Sequence, residues 1–443
     1  VLNTGEQEYS IFFSIFLFRT SQFAISDCNF KAWLNDLRQE EINPMFQNDE
    51  LDRYADILVW GMNKARTSPF KPGDIVLLRY DFLGRTLAEI IFSKLLDKGL
   101  HPIQRVNVSP QMEHAYFSKA NNAQLNFVAP GEEELMAELN GSISLLAPES
   151  LTHLQSIDPE KIGTSIVAKK RLRDILEELE NQGKFGWTLC LLPTPALAEN
   201  AGITIEEYTQ EIIKACYLDD PEPIKRWEDI FNNAQAIKEF LNSMDIQSLH
   251  LQSKHCDLTV CPGQDRQWIG ISGHNIPSFE IFTSPDWRGT QGVYYMDQPS
   301  FRNGNLVKNL RLEFKDGQVT DIQAEQGEDF VVKQIAIDAN ANKLGEFSLT
   351  DKRFSRINRF MAHTLFDENF GGEFGNSHIA LGASYAETYR LGGKCLDDQV
   401  KKDLGFNDSA LHWDLVNTEP KRVVAKLRSG EERLIYEDGL FQI

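Results

Sequence analysis

Between Leu51 and Ala65 the residues Leu51, Tyr54, Ala55, Leu58 and Val59 recur three and four positions apart, the spacing that gathers side chains into one stripe of an α-helix. The period then changes. After the turn KPGD comes IVLLRY (Ile75–Tyr80), a short apolar run of the kind buried strands show. TLAEIIFSKLLDKG returns to helical spacing, with Gly99 as its C-cap. HPIQRVNV (His101–Val108) reads as the next strand, so these pieces predict a right-handed strand–helix–strand unit with parallel strands. SISLLAP, the charged helix AKKRLRDILEELENQG and the strand GWTLCLLP continue the alternation. The fold class expected is α/β, with a layered N-terminal domain built on a mostly parallel sheet over residues 49–245.

Two polar helices, TIEEYTQEIIKACYL and PIKRWEDIFNNAQAIKEFLNSM, close that half. From Leu249 onward the texture is short, alternating and punctuated by turns, as in DLTVCPG, FEIFTSP and GVYYMD. In LRLEFKDGQVTDIQ the pair Asp316–Gly317 separates two strand-like runs and predicts a hairpin. A domain boundary is expected near residue 246, with a C-terminal mixed α+β domain over residues 246–443. Residues 1–48 form an N-terminal extension, whose run SIFFSIFLF (Ser10–Phe18) reads as a strand or helix. That run is well short of the roughly 20 apolar residues that span a bilayer, and Glu6 and Glu8 stand where a secretory leader would be positive.

A length of 443 residues suits two to three domains, and 42% hydrophobic with 25% charged residues is the balance of a globular chain. The 65 acidic against 45 basic residues give a net charge of −20, which repels phosphate backbones and anionic lipid. Nucleic acid and membrane are therefore not expected partners. No G-x-G-x-x-G follows the first strand and no G-x-x-x-x-G-K-[ST] occurs, so no nucleotide is indicated. The cysteines Cys28, Cys190, Cys216, Cys256, Cys261 and Cys395 never form C-x-x-C, which argues against a thiolate zinc knuckle and for a reducing cytoplasm.

Candidate chemistry gathers in the second half. As a strand, LHWDLV turns Leu411, Trp413 and Leu415 toward a core and sets His412 and Asp414 on the other face, about 6.6 Å apart. That spacing suits two groups reaching one metal ion or two adjacent ones, and it equally suits a solvated polar face. Glu280 in PSFEIFTSP and Glu346 in KLGEFSL both stand beside apolar residues, and each taken singly also reads as a solvent-facing or capping carboxylate. HTLFDENFGGEFGNSHIALGASY holds Asp367, Glu368, Glu373 and His378 in and around a glycine-rich loop, more charge than an interior accepts without a counter-ion. Read as a helix, NSHIALGASYAETY puts His378 and Tyr385, seven residues apart, on one face.

The segments IPSFEIFTSP, LGEFSL, TLFDEN…SHIALGASYAE and LHWDL resemble, in that order, the metal-site segments of the aminopeptidase T family, thermophile-type metalloaminopeptidases with two metal ions. YADILVWGMN…KPGDIVLLRY, LPTPALAENAGITIEEY and ACYLDDPEPIKRWEDI agree with the same family, so the resemblance runs from about residue 50 to the C-terminus. It implies an α/β domain followed by a catalytic domain, a homodimer, and removal of N-terminal residues from peptides with a free N-terminus. Carried over by position, it implies metal ligands at Glu280, Glu346, Glu368, His378, His412 and Asp414, with Tyr385 beside the metals. The interval FGGEFGNS before His378 is longer than in the family pattern, so Glu373 is an alternative ligand or substrate contact.

Oxygen and imidazole donors without thiolate suit Zn, Co or Mn and do not choose among them. Glu280, Glu346, Glu368 and Asp414 match the charge of two divalent ions. The reaction expected is hydrolysis by water that the two ions activate, with Tyr385 donating to the oxyanion and Glu346 as proton carrier or bridging ligand. Two alternatives stand beside it: a non-catalytic α/β small-molecule-binding protein with a structural cation site, and another metal-dependent amidohydrolase.

Overall fold

Ile75–Tyr80 (β1), His101–Val106 (β2), Gly141–Leu146 (β3) and Gly186–Leu191 (β4) are all parallel, in the order β2-β1-β3-β4, and Asn275–Ile276 (β5) joins them at the β4 edge. In this computed structural model the described residues are 46–443 apart from 303 and 393–395. The run Ser10–Phe18 and the rest of the N-terminal extension lie outside them. The helix Asn48–Lys64 covers the sheet with the predicted stripe, and Leu51, Tyr54, Ala55, Leu58 and Val59 are all buried. Burial of that kind contributes about 1.5–3 kcal/mol per large apolar side chain. The layered domain expected from the alternating pattern is thus present, and the fold as a whole is mixed α/β.

The two polar helices are Ile205–Ala215 and Pro223–Ser243. The first opens on a capping box, with Thr204 Oγ1 accepting from Glu207 N–H at 3.2 Å and Glu207 accepting from Thr204 N–H at 3.1 Å. The second carries Trp227, which stacks on Phe279 with ring centroids 5.3 Å apart and planes 8° from parallel. Tyr217 meets Phe279 edge-on at 6.3 Å. Fully buried, Phe279 fastens the chain immediately before Glu280 to the helical layer.

From Ile246 on, the strands other than β5 pair antiparallel. A nine-stranded sheet runs from Ser300–Arg302 at one edge to Leu440–Phe441 at the other, and includes the hairpin Asn305–Lys315/Gln318–Gln326. Asp316 and Gly317 have φ of 51° and 77°, the left-handed pair that a tight two-residue hairpin turn requires. Packed against this sheet is a smaller one of Glu280–Thr283 (β6), Leu344–Thr350 (β7), Asn376–Gly382 (β8) and His412–Asn417 (β9), in the order β9-β8-β7-β6 and antiparallel throughout. Buried tyrosines join the two: Tyr294 donates to the carbonyls of Ser377 and Leu415 at 2.9 and 2.8 Å, and Tyr436 to that of Thr350 at 2.7 Å.

One expectation is corrected here. The segment beginning NSHIALG is strand β8, not a helix. All seven of its residues are buried, so no polar residue marks a solvent face. An apolar run of that length fits a buried strand or a helix equally well until its neighbours are known. His378 and Tyr385 therefore do not share a helical face. Among the described residues no helix is long and apolar enough to cross a membrane.

Candidate metal centre

Cross-strand partners in a sheet project from the same face, so the register of β6 to β9 decides which side chains can meet. Thr350 pairs with Glu280, Ser348 with His378, Glu346 with Ala380, Ala380 with Asp414, and Gly382 with His412. Glu280, Glu346, His378, His412 and Asp414 thus stand on one face, around the small side chains Ser348 and Ala380. A register shift at Gly345 lets Leu344 pair with Leu381 on the apolar side while Glu346, two residues on, faces the acids. Gly382, at φ +101°, has a structural reason to be glycine: a Cβ there would stand 2.1 Å from the Leu411 carbonyl oxygen.

The side chains form two overlapping groups of three. His378 Nε2 lies 3.2 Å from both Glu280 Oε2 and Glu346 Oε1. His412 Nε2 lies 3.4 Å from both Glu346 Oε2 and Asp414 Oδ1. In each of the sets Glu280–Glu346–His378 and Glu346–His412–Asp414, one donor atom per residue falls within 4.8 Å of the others. Glu346 belongs to both sets and turns one oxygen to each.

Glu368 follows the short helix Thr364–Asp367 and reaches the same region from outside the sheet. It stands outside both groups of three but feels their charge. Burial, then the negative charge of Glu280 and Asp414, pushes its carboxyl well above the ordinary range. Glu373 is exposed, and its backbone carbonyl accepts from Lys352 Nζ at 3.0 Å. Of the two acids of the loop, Glu368 is the buried one that faces the cluster.

Electrostatics shows what the cluster lacks on its own. Burial raises Glu280, with the hydrogen bond from His378 opposing it. Burial would lower both imidazoles, yet Glu280 and Glu346 drive His378 well up, and Asp414 and Glu346 do the same to His412. Asp414 is pushed up by burial, but the charges of His412, His378 and Arg302 bring it below its usual range. Positive charge is demanded at this place. His412 makes the point geometrically: its Nδ1 donates to the Ala383 carbonyl at 2.9 Å, so the lone pair of a neutral ring, at Nε2, is aimed at two carboxylate oxygens. Either a proton on Nε2 or a metal ion between them turns that arrangement from repulsive to attractive, and four carboxylates with two imidazoles are donors that hard or borderline divalent ions accept.

Tyr385 sits beyond the end of β8, its N–H donating to Ser284 Oγ at 2.8 Å. Its ring stands edge-on to His412 at 4.8 Å and 5.4 Å from Phe282. The residue is 41% exposed. Burial around the hydroxyl, then the charges of Glu346, Asp414, Glu280 and Glu368, hold the phenol protonated far above its ordinary range. The ring thus lies beside the cluster, against His412. Beside Glu368 and Asp414 a cavity of about 20 Å³, also lined by Gln298, Ser300 and Thr364, has room for a water-sized guest.

Two contributors are not signalled locally in the sequence. Arg302 donates from Nη1 to the His412 carbonyl at 3.0 Å and helps to hold Asp414 ionised. Asn369 touches the segments of both Glu280 and Glu368. Arg302 comes from another strand, and Asn369, although next to Glu368 in the chain, reaches Phe279 ninety positions away, so no spacing in the chain announces either contact.

The profile of a family described as thermophilic metalloprotease (M29) matches residues 47–441. Aminopeptidase AmpS of Bacillus subtilis (strain 168) is 28% identical over 329 residues, 70% of this chain and 78% of its own length. Aminopeptidase T of Thermus aquaticus is 29% identical over 300 residues, 62% of this chain and 70% of its own. Aminopeptidase 2 of Geobacillus stearothermophilus is 26% identical over 429 residues, 88% and 97% respectively. A solved structure, wild-type AmpT from Thermus thermophilus, superposes with a TM-score of 0.72 at 22% identity, covering 89% of this chain and 99% of that one, and shows a shared fold.

Proposed function

We propose, from the premise that the chain belongs to the thermophilic metalloprotease (M29) family and is a metal-dependent aminopeptidase, that it removes N-terminal residues from peptides using two divalent ions. The observation that carries the two-ion reading is the pair of three-donor groups sharing Glu346. Glu280, Glu346 and His378 would hold one ion, Glu346, His412 and Asp414 the other, and Glu368 would complete the set from the loop side. Zn, Co and Mn all suit these donors.

When bound, such ions supply an activated water and Lewis acidity toward the scissile carbonyl. The residues of the chain do the rest. Glu346, whose two oxygens face the two halves of the cluster, would either bridge them as a ligand or, with one oxygen free of metal, pass the water's proton to the leaving amine. The Tyr385 hydroxyl, kept protonated by burial and by the surrounding acids, donates to the developing oxyanion. A free α-amino group at the substrate's end would meet one of the ions or an acidic side chain, which an acylated end could not do in the same way.

A chelator is expected to abolish release of amino acid from an unblocked peptide, and added divalent ion to restore it. An N-acetylated peptide cut as fast as the free one would instead support the amidohydrolase reading. The alternative of a non-catalytic binding protein is overturned by the family assignment. The homodimer stays part of the proposal, checked by sedimentation. So does a cytoplasmic setting, which free thiols at Cys190, Cys216, Cys256 and Cys261 support.

A further inference from the structure

Asn369 is fully buried at the end of the short helix Thr364–Asp367, and its side chain reaches both ways. Oδ1 accepts from the Phe279 N–H at 2.5 Å, one residue before Glu280. Nδ2 donates to the Leu365 carbonyl at 2.9 Å and to Glu368 Oε1 at 3.3 Å. Its backbone is fixed as well: its N–H donates to the Phe366 carbonyl at 3.1 Å, and its carbonyl accepts from Ser355 Oγ at 2.5 Å. Both amide hydrogens and the amide oxygen are thereby committed, so this group does not swing to other partners.

The connection matters because Glu280 and Glu368 come from different elements. Glu280 begins the edge strand β6, and Glu368 lies on a loop outside the sheet. No backbone pairing sets their relative position. We infer that Asn369 is the positioning residue that registers the Glu280 strand against the Glu368 loop and turns Glu368 so that its second oxygen, Oε2, faces the cluster. The inference rests on the two-ion reading, since a positioning role has meaning only if these carboxylates serve one centre. Outer partners of metal ligands act in this way by fixing orientation, and losing one costs about 10–100-fold in metal affinity or activity.

The test is metal affinity, measured with Zn²⁺, Co²⁺ and Mn²⁺ separately on metal-free protein against a chromophoric chelator. Asn369→Leu preserves volume and removes all three side-chain bonds. Asn369→Ser is the second variant should the first not fold. Each is expected to weaken binding about 10–100-fold, and the loss should shrink in a Glu368→Gln or Glu280→Gln background, because Asn369 acts through those groups. A merely structural asparagine would lower the melting temperature of the metal-free variant and leave affinity intact. Affinity within two-fold of the unaltered chain, or losses that multiply independently with those of Glu368→Gln and Glu280→Gln, would overturn the inference alone. Failure of the unaltered chain to bind any of the three ions would overturn the two-ion reading and this inference with it.

Discussion

The two faces of the four-stranded sheet are made from alternate residues of the same strands. On one side Ile281, Phe347, Leu349, Ile379, Leu381, Trp413 and Leu415 are buried in the main hydrophobic core. On the other, one residue away in each strand, stand Glu280, Glu346, His378, His412 and Asp414. The apolar face stabilises the fold by removing surface from water. The polar face works against it, since desolvated carboxylates with oxygens within 4.8 Å of one another repel unless positive charge lies between them. Neighbouring positions therefore serve opposite ends. The apolar face gives the rigidity that holds the polar face in an arrangement it would not adopt alone.

Substitutions on the two faces should separate these roles. Glu346→Ala removes the carboxylate common to both groups. It is expected to lower peptide hydrolysis on the order of 10⁴-fold, about 5.5 kcal/mol of transition-state stabilisation, while the metal-free protein melts no lower than the parent. A clear fall in melting temperature would show the acid to be part of the scaffold. Phe347→Ala, the adjacent residue, should do the reverse. It should cost about 3–5 kcal/mol of stability by denaturant unfolding, with metal bound per folded chain unchanged.

Tyr385→Phe should reduce kcat about 10²–10³-fold, or 2.7–4 kcal/mol, with metal content and melting temperature retained. Loss of metal in that variant would make the tyrosine a ligand instead of a donor. The smallest effect expected is on stability when metal is removed. With each ion at about 100 times its Kd, chelation should cost about 2.7 kcal/mol per ion removed, in the parent and in Phe347→Ala alike. In Glu346→Ala chelation should change little.

Much of this was legible in the chain. The stripe in Leu51–Val59, the run Ile75–Tyr80 and the Asp316–Gly317 turn each carry local signals strong enough to fix an element. The alternation in LHWDLV correctly puts His412 and Asp414 on one face, because β9 has a core side and a site side that differ in polarity. The same logic fails for NSHIALG. Strand β8 is central and buried on both faces, so its sequence lacks the alternation that identifies a strand. Between Glu368 and Glu373 the chain offers no reason to choose, as both follow from one glycine-rich loop whose path depends on what it packs against.

By itself the sequence determined the inventory: which short runs bury, where turns fall, which acids and imidazoles are available, and the family they belong to. These follow from local propensity and from the types of residue present. Only the tertiary structure decided that Glu346 turns one oxygen to each half of the cluster, that Glu368 is buried beside it while Glu373 is exposed, and that Asn369 links two of its walls. Such relations depend on strand register and on packing between segments far apart in the chain. Register is fixed by burial of the opposite face, a property of the assembled sheet that no single segment carries.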